Sequence, residues 1–544
     1  MKTYTNPVYP YVRSPDQDGA PRHHPVIVVG AGPVGLAAAI DLAQRNIPVL
    51  VLDEEDTVSI GSRAICYAKR ALEILDRLGC AEPIVRKGVR WNVGKVFHRN
   101  ELVYQFDLQP ETGHRHPAFV NLQQYHLEEC LVRRLQQLPA ASMRWKNKVI
   151  GLDAHANEVT VRVACPDGEY SASCDWLIAA DGARSPVRTM LGLESEGQVF
   201  RDRFLIADIH MQSDFPTERW FWFDPPFHPD QSVLLHRQAD DVWRIDFQLG
   251  WEADPEEEKK PERILPRLRA MLGADAQFEI EWASVYTFQC RRLPRFREGR
   301  VLFVGDAAHL VSPFGARGAN SGFQDTDNMV WKLDLVMKGL APERLLDTFD
   351  SERCAAADEN LLNSTRATDF ITPKSAVSRT FRDAVLGLAR RYPFARRLVN
   401  SGRLSMPCVY LDSPLNTSDR PGETFEGAMV PGAPAADAPV TGPHAQWLLG
   451  YLGQGFTLLV FGDGVPEKDE DALAAAAISC RVLRVGGRRG IADPMGLLTR
   501  RYDGKPGTCY LFRPDQMVCA RWRSFDAGAI RAALARASTG EQLP

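Results

Sequence analysis

Three glycines at the spacing G-x-G-x-x-G, Gly30, Gly32 and Gly35, carry the first chemistry visible in the chain. Between a strand and a helix, the first allows a tight turn. The second lets backbone approach a pyrophosphate, and the third lets the helix pack on the strand. Pro33 suits the first position of such a helix, and free N–H groups at a helix start favour phosphate. Asp53, 18 residues after Gly35, ends a second apolar run with Glu54 beside it, where an acid can accept both ribose hydroxyls. The glycines alone are equally compatible with an ordinary glycine-rich turn. With the strand, helix and terminal acid they point to a dinucleotide, without choosing between NAD and FAD. Two further acidic turns follow. Asp181-Gly182 closes an apolar run ahead of Ser185 and Arg188. Gly305-Asp306 closes another and leads into a loop holding Pro313, Gly315, Arg317, Gly318, Ala319, Asn320 and Asp325.

The elements that must position these turns follow from periodicity. Apolar runs at 26–29 and 49–52 read as buried parallel strands on either side of a helix ending near residue 45. Helical spacing returns at 68–78 and 125–138. Residues 204–286 alternate aromatic and β-branched with polar residues, as an antiparallel sheet does. A strand at 300–304 precedes a long helix, 321–338, and more helices run through 342–400. Prolines and glycines crowd 412–440 and read as a linker. Beyond it the order is strand, helix at 472–478, three strands and a closing helix.

The chain has 544 residues and is 44% hydrophobic, and its 65 basic and 69 acidic residues leave a net charge of −4. At roughly 150 residues per domain this is about three to four units. The balance argues against disorder and against a nucleic-acid partner. No apolar run is long enough to span a membrane, and none has the flanks of a signal peptide. Eleven cysteines show neither CxxC nor paired Cys/His spacing. That predicts reduced thiols in the cytoplasm and no metal site.

In their order and distances, the three motifs resemble the FAD-dependent aromatic hydroxylases. These are the group A flavoprotein monooxygenases typified by p-hydroxybenzoate hydroxylase and phenol hydroxylase. The resemblance implies an α/β (α+β) fold: a Rossmann-like FAD-binding domain from 25–195 and 287–411 interleaved with a substrate-binding sheet domain, 196–286. An arm (1–24) precedes them. The linker and a thioredoxin-like C-terminal domain (441–544) follow, as in 3-(3-hydroxyphenyl)propionate hydroxylase. It further implies FAD, with NADPH or NADH as co-substrate, and O2 activated as a flavin C4a-hydroperoxide that hydroxylates a small phenolic substrate. A homodimer is expected. Asp306 resembles the aspartate on the ribityl chain. The N–H groups of Gly318, Ala319 and Asn320 would face the flavin edge, with Gly305 and Gly315 shaping the same loops. Asp181 and Gly182 resemble the fingerprint that serves FAD and NAD(P)H together. Pro313 resembles the proline whose carbonyl lines the ring pocket. Arg63 resembles a cofactor-contacting arginine, or is a surface charge. Gln124 resembles the glutamine that reaches the flavin chain, or is an ordinary helix-start residue.

The chain departs from the family in two places. Where phenol hydroxylase-like members carry an acid after the arginine, it reads Ala64-Ile-Cys-Tyr67, so the phenol-activating base is not identified. The thioredoxin-like tail has no CxxC, which excludes disulfide exchange. His236, Arg244 and Tyr286 are the polar candidates for gripping the substrate, and alternation puts Trp220 and Trp222 opposite Phe221 and Phe223. His309 reads as a proton relay or a local packing residue. Denitration, decarboxylative hydroxylation and epoxidation stay open as alternative reactions, and a non-catalytic flavin-binding redox sensor as an alternative class.

Overall fold

A computed structural model describes residues 4–19, 21–399, 404, 406–487 and 489–540. The chain opens with β1 (Arg22–Val29), α1 (Pro33–Gln44) and β2 (Val49–Leu52). After β3 (Cys66–Ala68) come the hairpin β4 (Val93–His98) and β5 (Glu101–Asp107), α2 (Gln124–Leu135) and β6 (Gly168–Ala179). Five long or medium strands follow: β7 (Glu196–His210), β8 (Arg219–Phe223), β9 (Ser232–Arg237), β10 (Val242–Leu249) and β11 (Glu279–Arg292). Then come β12 (Val301–Phe303), α3 (Gly318–Met337), α4 (Asp347–Ile371) and α5 (Ala376–Ala389). Among the described residues no helix is long and apolar enough to cross a membrane.

The first sheet has a parallel core in the order Ala141–Arg144, β2, β1, β6, β12. All of β2 and the last four residues of β1 are buried, which is why they read as unbroken apolar runs. Helix α1 is buried from Gly35 to Ala43 and packs against α2 and α3. The C-terminal ends of β1, β6 and β12 therefore open on one side of the sheet, each carrying one of the glycine–acid turns.

The second sheet runs His309–Leu310, β11, β7, β10, β9, β8, β4, β5. It is antiparallel except where β8 meets β4. The sequence places this sheet within 196–286; the structure extends it with the hairpin at 93–107 and with His309–Leu310. Without β4, the apolar strand β8 would be a bare edge, and pairing covers its free backbone groups. Trp220 and Trp222 lie on the outer face with Trp243, Ile245 and Phe247, under the helix Pro261–Leu272. Phe223 lies on the inner face with Phe204, Phe288 and Phe314, with Phe221 packed against them.

The segment expected as a linker has no regular structure, yet it is pinned. Thr417 N donates to Cys519 O (2.8 Å) and Gly432 N to Val518 O (2.7 Å), and Leu415 and Ala438 are fully buried. The C-terminal unit is a four-stranded sheet of β13 (Phe456–Phe461), β14 (Cys480–Val485), β15 (Cys509–Phe512) and β16 (Val518–Trp522). Its order is β14-β13-β15-β16, with only β13 and β14 parallel. The helix expected at 472–478 occupies Glu467–Ala474. It begins earlier because Glu467, Asp469 and Glu470 favour its positive end.

Buried charge fastens this unit to the rest. Arg513 donates to Glu352 Oε1 at 2.5 Å, and Lys332 Nζ reaches Glu352 Oε2 at 2.8 Å. Arg70 spans Asp327 (2.8 Å), Gln516 Oε1 (2.9 Å) and the Asp515 carbonyl (2.8 Å). Burial alone would raise the Glu352 carboxyl, but Arg513 and Lys332 outweigh it and hold it far below the usual range. Burial pulls Lys332 down to about 8 against the opposing pull of Glu352. Replacing Arg513 by Met should cost about 3–5 kcal/mol, because a buried carboxylate loses its main partner. Removing Arg86, exposed and paired to Glu82, should cost less than about 1 kcal/mol. Calorimetric melting of the two variants checks the contrast.

Candidate active site

The three turns meet. Gly30 has φ +103°, and a Cβ there would lie 2.5 Å from the carbonyl of Ala180, the residue before Asp181. A Cβ on Gly35 would sit 2.0 Å from Gly30 O, so both positions are fixed by close approach. Gly32 differs: nothing stands within 4 Å of its Cβ position. Asp53 closes the loop from below, accepting from Ala31 N at 2.5 Å and Glu55 N at 2.8 Å. Burial raises its carboxyl against the pull of these two amides. Glu54 is not brought into the group; it pairs with Lys148 at 2.6 Å on the surface.

Asp181 accepts from Val187 N at 2.9 Å through one oxygen, and its other oxygen is buried with no hydrogen-bond partner. Gly182 follows at φ +80°. Arg188 ties this turn to the third, donating to Ala183 O (2.8 Å) and Ala307 O (3.0 Å). Val34, at the start of α1, stands 3.1 Å from a Cβ built on Gly305 and 2.5 Å from one on Gly322, so α1, the third turn and α3 are in contact. The Asp306 side chain is open to solvent while protein walls surround it closely enough that burial raises its carboxyl, against His309 and Arg63. A group both reachable and walled in lines a cleft. The Gly318 Cβ position is 3.9 Å from Asp306 Oδ1. The first hydrogen bond of α3 is Ser321 N to Arg317 O, so the amides of Gly318, Ala319 and Asn320 lack intrahelical acceptors.

Other expected residues hold the cleft together rather than face it. The Asn320 side chain bridges to β3, accepting from Ala68 N and donating to Cys66 O, each at 2.8 Å. Gly315 is covered by the Arg317 guanidinium, 2.7 Å from its Cβ position. Pro313 is exposed at the cleft, and its carbonyl accepts from Ala316 N at 2.9 Å. Gln124 Oε1 accepts from Ala64 N (2.9 Å) and its backbone N–H donates to Ser62 Oγ (2.9 Å), so Gln124 fixes the loop that carries Arg63. Arg63 is exposed, and its charge favours ionisation of both Asp306 and Tyr286.

The inner face of the second sheet can be laid out in rows from its register. One row is Arg219, His236, Arg244, Asp208, Trp282; the next is Phe221, Leu234, Asp246, Ile206, Ser284; the third holds Gln248, Phe204 and Tyr286. Tyr286 is 38% exposed, yet burial pushes its phenol up to about 12, with Asp306 adding to the shift, so it too lines the cleft. His236 is buried, held neutral by burial and by Arg219 and Arg244, with Nδ1 unpartnered.

The gripping role expected of Arg244 is taken up otherwise. Its Nε and one terminal nitrogen meet both oxygens of Asp208 at 2.8 Å. Its remaining donors hold the carbonyls of Ser62 and Arg63. Sequence reasoning missed Arg219, Asp208 and Asp246. Asp246 lies two residues beyond Arg244 on a period-two strand and so shares its face, but only strand pairing shows what surrounds it.

These residues fit a flavin dinucleotide: open space over Gly32, an orphaned oxygen on Asp181, and the amide end of α3 beside Asp306. The comparisons agree. The model of the FAD binding domain family matches residues 23–364. The chain is 29% identical to 6-methylpretetramide 4-monooxygenase of Streptomyces rimosus, covering 93% of this chain and 91% of that protein. It is 31% identical to para-nitrophenol 4-monooxygenase of Pseudomonas sp. (strain WBC-3), over 60% and 82%. The fold superposes on the flavin-dependent monooxygenase PieE, solved with FAD and substrate, with TM-score 0.82 at 22% identity, covering 96% and 99%. Gly32→Ala should leave the apoprotein melt unchanged and weaken FAD binding at least about tenfold, about 1.4 kcal/mol. Gly30→Ala, with its steric overlap, should lower the melt itself. Thermal scans and flavin titration of the two apoproteins check this.

Proposed function

The chain belongs to the FAD binding domain family and is a flavoprotein monooxygenase of the aromatic-hydroxylase kind; from that premise we propose that it hydroxylates the ring of a phenolic substrate with O2 and NAD(P)H. The observation that carries the reading is the meeting of two surfaces. The aromatic inner face of the second sheet reaches Asp306 and Arg63 through Tyr286, at the amide end of α3.

In this reading Gly30, Gly32 and Gly35 cradle the pyrophosphate and Asp53 serves the ribose. Asp306 holds the ribityl chain, and Asp181 serves the cofactors from its turn. When bound, FAD supplies the redox chemistry with NAD(P)H and O2. The amides of Gly318, Ala319 and Asn320 would hold the anionic edge of that group, as a helix start favours. Phe204, Phe314 and Tyr286 give the substrate ring an apolar wall, and Pro313 bounds it. A closed wall also keeps water from the reacting centre. The C-terminal unit acts as a packing piece, since its Cys480, Cys509 and Cys519 are buried thiols. A homodimer belongs to the proposal, supported by the exposed Val377, Phe381 and Leu388 on α5.

The test is a screen of phenols, hydroxybenzoates, hydroxyphenylpropionates and nitrophenols with the purified holoprotein. At least one class should accelerate NAD(P)H oxidation with matching O2 uptake and yield a product heavier by one oxygen atom. Flavin reduction that no aromatic compound accelerates would sink the proposal. Loss of nitrite or CO2 from the substrate would move it to denitration or decarboxylative hydroxylation.

A further inference from the structure

Two opposite charges on the inner face of the second sheet are left without each other. The Asp246 side chain makes no hydrogen bond or ion pair among the described residues, and its Oδ1 is buried with nothing to donate to it. Arg219 is 7% exposed, and among the described residues its side chain makes one hydrogen bond, a 3.4 Å contact from a terminal nitrogen to the carbonyl of Phe314. A buried, unpartnered charge of either sign is costly. Elsewhere the chain pairs its buried acids with care, as at Asp208 and Arg244 or Glu352 and Arg513. Arg219 sits on β8 and Asp246 on β10, one row apart with β9 between them, so about 10 Å separates their strands. Leu234, Phe221 and Ile206 floor the gap in the same row as Asp246, and Phe314 stands beside it through its contact with Arg219.

We propose that Asp246 is the base that takes the phenolic proton of the substrate, and that Arg219 receives the charge left on the phenolate oxygen. This rests on the hydroxylase reading above and supplies the acceptor missing from the Ala64–Tyr67 stretch. The substrate O–H bond breaks, an O–H bond forms on Asp246, and the electron pair stays on the substrate oxygen. The proton returns to a product oxygen when the product leaves. Charge is balanced throughout. Arg219 and Arg244 face Asp208 and Asp246, and His236 is neutral, so moving the proton only relocates one negative charge from Asp246 to the phenolate beside Arg219. Oxygen transfer gains because a phenolate ring is the stronger nucleophile.

The other groups nearby are unsuited. Burial pushes the Cys66 thiol up to about 11 and the Tyr286 phenol up to about 12, so both keep their protons. His236 is a poor acceptor, held well below its usual value by burial and the two arginines. Asp208 is locked to Arg244. The Asp246 carboxyl is pushed up to about 6, first by burial and then by Asp208, against Arg244 and Arg219. A base near the working pH is the efficient one.

The test uses the holoenzyme with a phenol accepted in the screen and with ring-substituted analogues of lower phenolic pKa. Asp246 must be ionised to accept the proton, so hydroxylation should fall as pH drops through about 6, at the same pH for every analogue. Asp246→Asn should bind FAD normally and lose about 10²–10⁴-fold in product formation at pH 7. Its activity should return as pH rises toward each phenol's own pKa, and Asp246→Glu should restore part of the rate at neutral pH. A wild-type limb that tracks the phenol's pKa overturns the assignment, and that measurement stands even where the Asn variant does not fold. Asp246→Asn activity within about threefold of wild type at pH 7 also overturns it, while leaving the hydroxylase reading intact. A wild-type enzyme that hydroxylates no phenol removes both.

Discussion

The Asp325 carboxylate is the contact on which the geometry of the cleft depends. It lies about two turns into α3 and accepts from Gly305 N (2.9 Å), His309 Nε2 (2.7 Å) and Arg353 Nε (2.7 Å). Burial alone would raise it, but His309 and Arg353 outweigh burial and keep it ionised. Arg353 continues to Ser321 and to the Tyr410 hydroxyl at 2.7 Å. One buried anion thus fixes the turn that presents Asp306 to the helix whose amide end it faces. It also joins them, through α4, to the segment leading into the C-terminal unit. His309 is tied into this hub through its Nε2.

The parallel core and its turns were legible because their constraints are local. Gly30 and Gly35 are glycine because a Cβ would strike backbone, and Asp53 ends its strand within reach of the loop it supports. The lining of the second sheet's inner face was not legible, because it depends on which strands pair. Alternation correctly separates Trp220 and Trp222 from Phe221 and Phe223, but it says nothing of a hairpin at 93–107 arriving to cover β8. Arg244 looked like a free cation because Asp208, its partner, lies 36 residues away on a strand that only register brings opposite. Likewise, the proline-rich segment at 412–440 looks like a tether in one dimension and becomes a pinned strip once β16 is beside it.

Gln124 and Asn320 show how function and framework share residues. Both lie at the cleft, yet their side chains hold backbone of the loop at 62–64 and of β3. The loop carrying Arg63 is held from α2 by Gln124 and from the second sheet by Arg244. Its position therefore reports on both halves of the cleft.

On the proposed function, the locking of Arg244 has a consequence for which aromatic molecules can compete for the site. Two guanidinium groups and two carboxylates leave the inner face without surplus charge. On that reading, the inner face would offer a ring with a permanent carboxylate only Arg219, reached by excluding the oxygen to be activated. A neutral phenol has no such conflict. On the same reading, discrimination between aromatic acids and uncharged phenols would originate in Asp208, which reaches neither: by occupying Arg244 it withdraws the anchor an acid would need.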